Sequence, residues 1–372
     1  MGENVMIRRQ YRDFIKKSTS QEGLPWLLKR LAQYFLIHTS FMAKRALCGP
    51  ILGSLVTNYT CNYHCVMCDL PLRDKILRDR GLKELSTEQL KKVLKDFALL
   101  GVCGVGLTGG EPFLRKDIYE LLAYAKKLRM ITHISTNASL LNEENVQKTL
   151  ATGVDSINIS LDGACSQTHD QIRQVQGSFD KVVAAIECID RLRREKNISV
   201  RLKIVSVINQ RNIDEAPDLL KLSSKLNADC VEFIPQQPFS SAAMTSPTPV
   251  DPVFLEKVTR YVKLFLDLQA RGAKIENSSG HLSLFPKAFG NERIPFHCYA
   301  GYNSLAVDCF GEIYPCVPWF NWDKSVGNVA HQDLKEFWYS RQYDKSRDEI
   351  LQCHGCYLTC QSELNLLFKL IK

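Results

Sequence analysis

Three cysteines stand within eight residues, Cys61-Asn-Tyr-His-Cys65-Val-Met-Cys68, and this C-x3-C-x2-C spacing gathers three thiolates in one short loop. A structural zinc site would want a fourth ligand nearby to close its tetrahedron. His64 is no better placed for that than any other residue of the loop. Three thiolates on a four-iron cluster instead leave one iron open to bind something else. A second group of cysteines lies at 353–360. Clustered cysteines in a reducing compartment bind metal or do redox chemistry more often than they form disulfides.

Two further stretches have the composition of binding loops. Thr108-Gly109-Gly110-Glu111-Pro112 follows an apolar run; paired glycines allow close backbone approach. A carboxylate with neighbouring carbonyls can accept hydrogen bonds from a cationic amino group. Ser160-Leu-Asp162-Gly163 is followed by His169-Asp170 and Arg173. His169 alone serves either as an acid–base group or as part of the fold, and a lone histidine is more often the latter.

Together these segments resemble the radical S-adenosylmethionine (SAM) superfamily. Tyr63 fits the aromatic residue common two before the second cysteine, and Gly109-Gly110-Glu111-Pro112 resembles the family's GGEP motif. The resemblance implies that the open iron of a 4Fe-4S cluster on Cys61, Cys65 and Cys68 chelates SAM. The reduced cluster would cleave SAM to methionine and a 5′-deoxyadenosyl radical, which abstracts hydrogen from substrate. Ser135-Thr-Asn137 resembles the ribose-contacting residues, a helix-capping loop being the plainer reading. The run from Ser160 to Arg173 resembles the SPASM-type branch, in which Ser160 and Arg173 would hold the SAM carboxylate. The planar fork of an arginine suits a carboxylate; a surface arginine on a short helix is the alternative. Val231–Pro235 would line the adenine by position. The implied SAM site is therefore Gly109, Gly110, Glu111, Ser135, Asn137, Ser160 and Arg173.

The C-terminal cysteines resemble the SPASM/Twitch extension. The resemblance implies one auxiliary 4Fe-4S cluster on Cys298, Cys316, Cys353 and Cys356, with zinc the rival because four thiolates suit it equally. Cys360 either replaces one of the four or stands by. Cys309, at a hairpin turn, is expected to face solvent and is left out. Val317 occupies the place where several SPASM-type dehydrogenases carry an aspartate base, which separates this chain from their mechanism and leaves its general base unnamed.

These loops need rigid elements behind them. Six strands are expected at 51–57, 102–107, 131–135, 154–161, 198–207 and 229–234, alternating with helices. Ser86-Thr-Glu-Gln89 starts one helix with a capping box. The strands are rich in β-branched residues and nearly continuous in apolar character, as in a parallel sheet covered on both faces. Six units are fewer than the eight of a closed TIM barrel. The expected fold is α/β: a partial (β/α)6 TIM-like barrel with a small C-terminal Cys-rich auxiliary-cluster module. The divisions are an N-terminal amphipathic arm (1–49), the barrel core (50–234), a connecting loop or lid with a helix (235–294), and the module (295–372).

The chain has 372 residues, 45% hydrophobic and 24% charged, with a net charge of +8. Its basic residues are dispersed, which fits an anionic cofactor or substrate at least as well as nucleic acid; no nucleic acid is expected. No run of about 18 apolar residues spans a membrane, and the N-terminus lacks a secretory pattern, so a cytoplasmic location is expected. Residues 24–45 combine apolar side chains with Lys29, Arg30, Lys44 and Arg45, and so either pack on the barrel or lie in a membrane interface. Cys48, Cys103, Cys165, Cys188 and Cys230 are read as buried small hydrophobes. The expected activity is oxidative radical chemistry on a small-molecule or lipid-linked metabolite, supplied by a reducing partner such as flavodoxin or ferredoxin. The alternatives are a maturase acting on a peptide or protein side chain, and a non-catalytic iron–sulfur electron carrier.

Overall fold

The computed structural model describes residues 23–79, 81–237, 251–321, 324–353 and 355–368, together with Ile15 and Thr19. Most of the loop or lid expected at 235–250 lies outside the described residues. The six expected strands are present as β1 (Leu52–Val56), β2 (Gly104–Thr108), β3 (Ile131–Thr136), β4 (Ser156–Ser160), β5 (Arg201–Ile208) and β6 (Cys230–Pro235). They pair in parallel, in chain order, as a partial barrel sheet.

Register explains how the sheet buries itself. Leu55, Leu107, Ile134, Ile157 and Leu202 stand side by side across five strands, all fully buried. They share one core with Leu90, Val93, Leu94 and Phe97 of helix Thr87–Leu100. That helix opens on the expected capping box of Ser86 and Gln89. The neighbouring row on the opposite face is different: Ser54, Gly106, His133, Ser156 and Arg201 lie in register. Next to it run Ser135, Asn158 and Lys203. The strands are thus not apolar on both faces. They alternate, with an apolar side under the helices and a polar side lining the barrel interior.

The C-terminal module does not stand apart. The expected hairpin forms as β7 (Ser304–Val307) and β8 (Glu312–Tyr314), but β7 also pairs in parallel with β1, Leu52 opposite Ser304. With β9 (Gly327–Asn328), one nine-stranded sheet runs β6-β5-β4-β3-β2-β1-β7-β8-β9. The arm forms a helix, Leu24–Met42. It buries Gln33, Ile37 and Ser40, with Ile37 in a cluster with Tyr299, Tyr302, Leu364 and Phe368. Among the described residues no helix is long and apolar enough to cross a membrane.

Candidate active site

The three-cysteine loop leaves β1 at the C-terminal edge of the sheet, where parallel α/β folds bind their ligands. It is tied to the glycine loop after β2 by main-chain bonds. Gly110 N–H donates to the Asn58 carbonyl and Glu111 N–H to the Thr60 carbonyl, both at 2.9 Å. The Asn58 amide donates in turn to the carbonyls of Thr60 (3.1 Å) and Glu111 (2.9 Å). Gly109 has φ 152°, and a Cβ on either glycine would strike the main chain of residues 58–60. The paired glycines let two loops lie backbone to backbone.

Glu111 departs from its expected part. Its carboxylate is fully buried and accepts bonds from Thr136 Oγ1 (2.7 Å), Phe113 N–H (3.1 Å) and Asn137 N–H (2.7 Å). Burial pushes this carboxyl up to about 7 even against those bonds. The side chain is turned inward as the joint between the loops after β2 and β3. Asn137 continues the brace, donating to Asn62 Oδ1 at 2.9 Å and lying 3.9 Å from Cys61 Sγ. Ser135 sits two residues earlier, on the polar face, 3.4 Å from the Asn158 amide. Ser160 ends β4, opposite Val205.

Arg173 ends the helix Ser166–Arg173 and is nearly buried. One arm of its fork is 2.6 Å from Asp162 and the other 3.7 Å from Cys65 Sγ. Its first partner is therefore Asp162 rather than a free space for a carboxylate, and its charge lies beside a cysteine of the loop. Val66 N–H also donates to the Ile172 carbonyl at 3.0 Å, fastening that helix to the loop. His169 is fully buried and its Nδ1 accepts the Asp162 N–H at 3.1 Å. Burial, helped by the nearby Arg173 charge, holds it down to about 3. Buried and neutral, it serves to hold the Asp162 main chain. Asp170 caps the following helix through Gly177, Ser178 and Phe179.

In the second module the thiols of Cys298, Cys316, Cys353 and Cys356 lie near enough to bear on one another's charge. Burial raises the Cys316 thiol far above its usual range, with Cys356, Cys298 and Cys353 adding to it. Cys356 is raised in the same way by burial, then by Cys298, Cys360 and Cys353. Asn365 donates to Cys298 Sγ at 3.5 Å, and Gly355 N–H points to Cys353 Sγ at 3.4 Å. Among the described residues no group of three or more Cys, His, Asp or Glu side chains is placed to hold a metal ion. The chemistry of the donors nonetheless fits a cluster at each place. In the barrel loop, the charges of Glu111 and Cys65 bear on a Cys61 raised chiefly by burial. A guanidinium stands ready to balance thiolate charge there.

Two other cysteines correct the sequence reading. Cys309 is fully buried at the hairpin, packed with Tyr59 and Phe310, because long-range packing covers a turn that local pattern would leave in solvent. Cys165 is exposed rather than buried; it precedes a short helix. Asn58 and Asn365 were not singled out as site residues. Asn58 belongs to the polar run ending the first strand and was within reach; Asn365 carries no local signal.

A family model described as the Radical SAM superfamily matches residues 55–222, and one described as an iron–sulfur cluster-binding domain, SPASM, matches residues 298–357. The chain is 25% identical over 306 residues to an AdoMet-dependent heme synthase of Methanosarcina barkeri, covering 77% of this chain and 82% of that one. It is 30% identical over 183 residues to a PqqA peptide cyclase of Rhodopseudomonas palustris, covering 49% and 46%. Its fold is similar to Streptococcus suis SuiB bound to S-adenosylmethionine, with a TM-score of 0.63, 18% identity, and coverage of 90% and 78%.

Proposed function

Because the chain belongs to the radical SAM superfamily and carries its SPASM extension, we propose that Cys61, Cys65 and Cys68 hold the cluster that binds SAM and that Cys298, Cys316, Cys353 and Cys356 hold an auxiliary one. Held there, the first cluster would supply the one-electron reducing chemistry that cleaves SAM, and the auxiliary cluster would supply electron transfer. The protein's own residues set the stage for this. Main chain of Gly109 and Gly110 would take the SAM amino group, Asn137 and Ser135 its ribose, and Ser160 its carboxylate, with Arg173 reaching it from its pairing with Asp162. Glu111 and Asp162 position these groups from behind. The observation that carries the reading is the thiol loop locked backbone to backbone against the glycine loop. Reduced, reconstituted protein should turn SAM into 5′-deoxyadenosine; absence of that product from iron-loaded protein would overturn it.

For substrate, a small-molecule or lipid-linked metabolite is favoured by the polar inner face, where Lys203 pairs with Glu232 beside Asn158. The resemblance to a peptide cyclase supports a second reading, modification of a peptide side chain. Extract from cells grown in deuterated medium separates the two. Deuterium entering 5′-deoxyadenosine from the small-molecule or lipid fraction supports the first; entry from the peptide fraction alone supports the second. The reductant is a low-potential carrier such as flavodoxin or ferredoxin, and peripheral contact with a membrane, made through the arm, completes the set of partners.

A further inference from the structure

The helix Leu24–Met42 is fixed to the protein by one face only. Gln33 donates to the carbonyls of Gly49 and Pro50, both at 3.0 Å, and Arg30 to the Gly101 carbonyl at 2.7 Å. Tyr34 stacks on Phe368 and Phe41 packs on Tyr299. The opposite face should by ordinary patterning be polar. It carries instead Leu24 (62% exposed), Leu28 (55%), Leu31 (47%), Phe35 (59%) and Met42 (69%). Their spacing of four, three, four and seven keeps them on one stripe along the helix.

The charge around this stripe is one-sided. The first 50 residues hold nine Lys and Arg against three Asp and Glu, a surplus of six out of the chain's +8. Between residues 23 and 50 there is no acidic residue at all, while Lys29, Lys44 and Arg45 are exposed. A second copy of the same helix would bring like charges together, with no carboxylates for the flanking pairs that set coiled-coil partners. An anionic lipid surface meets both features: its acyl boundary takes the apolar stripe and its headgroups take the cations.

We infer that this helix docks the protein on anionic phospholipid through Leu24, Leu28, Leu31, Phe35 and Met42. The inference rests on the peripheral contact in the proposed function and gives it a lipid class and an orientation. Gly49, Pro50 and Gly101, which seat the helix, precede β1 and β2 and so lie at the N-terminal edge of the sheet. The thiol loop lies at the C-terminal edge. The docked helix is thus a tether that leaves the site facing water, not a groove that feeds it from the bilayer.

The test uses full-length reconstituted protein with vesicles of phosphatidylcholine, with and without phosphatidylglycerol. Phosphatidylglycerol should raise the bound fraction about tenfold, and added salt should reverse the gain. Leu28→Glu with Phe35→Glu should abolish binding, and Lys44→Glu with Arg45→Glu should remove the preference for anionic lipid. Iron content and SAM cleavage, read on the same samples, should stay unchanged. Wild-type protein that ignores both vesicles, or binds them equally, overturns the inference. A dimer that the apolar double variant splits, without lipid binding, gives the stripe to a second copy. Binding that begins only when residues 1–22 are removed gives it to the chain's own N-terminus. Each of these overturns docking while intact SAM cleavage leaves the radical chemistry standing.

Discussion

The two cysteine sites are built in opposite ways. In the barrel, three thiols come from eight consecutive residues, and the loop is held by main-chain bonds to the next loop. In the C-terminal module, four thiols come from residues 298 to 356, and buried side chains of the last helix, Thr359–Phe368, hold the segments together. Asn365 accepts from Tyr299 N–H at 3.0 Å and donates to Cys298. Gln361 reaches Asn303 and Asn365 at 3.0 and 2.9 Å, and Ser362 reaches the Cys356 carbonyl at 2.9 Å. A site made from one loop depends on backbone conformation; a site gathered from several segments depends on the side chains that gather them.

Four measurements sharpen or break that contrast. The largest effect is expected from Cys65→Ala, which removes both a proposed thiolate anchor and the second contact of Arg173; 5′-deoxyadenosine formation should fall to background, and normal turnover would break the barrel assignment. Cys356→Ala should lose about four of about eight irons while SAM cleavage persists, and tightly bound zinc in place of the second iron group would break the auxiliary assignment. Gly110→Ala must displace the main chain of Tyr59 and Thr60, so SAM affinity should drop by about tenfold or more with the auxiliary iron retained. By contrast Asn365→Ala, at the other site, should leave SAM affinity alone and lower retention of the auxiliary iron.

A last effect, on stability rather than on either site, concerns Glu111 and pH. Its folded carboxyl is raised to about 7 by burial, from an ordinary 4.5. The folded state therefore holds a proton that the unfolded chain has given up across that interval. The stabilisation is complete below about 4.5 and is lost as pH rises through about 7. Relative to Glu111→Gln, wild-type protein should lose up to about 3 kcal/mol between those limits. Melting curves of the two proteins across that range supply the check; parallel curves would deny the carboxyl its buried proton.

Local pattern was enough for the cysteine loop, the Gly-Gly turn and all six barrel strands, because spacing, helix caps and β-branched runs act over a few residues. It was not enough where a distant segment decides. The carboxylate of Glu111 turns inward because Thr136 and Asn137, on the following strand and its loop, offer three donors together with Phe113. Cys309 is buried because Tyr59, just past the C-terminal end of the neighbouring parallel strand β1, packs in the same cluster. The polar inner row was masked because Ser54, Gly106 and Ser156 sit within largely apolar strands, and only the pairing register shows them as one row.

The pairing of β1 with β7 bears on how the molecule is made. β1 lies near the start of the chain, and the strand that covers its free edge lies in the last quarter. While the chain is being synthesised, the barrel sheet can form from β1 to β6 and still present an unpaired edge beside the cysteine loop. Such long-range pairing is slow, and an open strand edge invites pairing with other chains. The nascent barrel therefore depends on late-arriving sequence to cover that edge. Shortened chains ending before Ser304 would be expected to aggregate even though every residue of the first site is present.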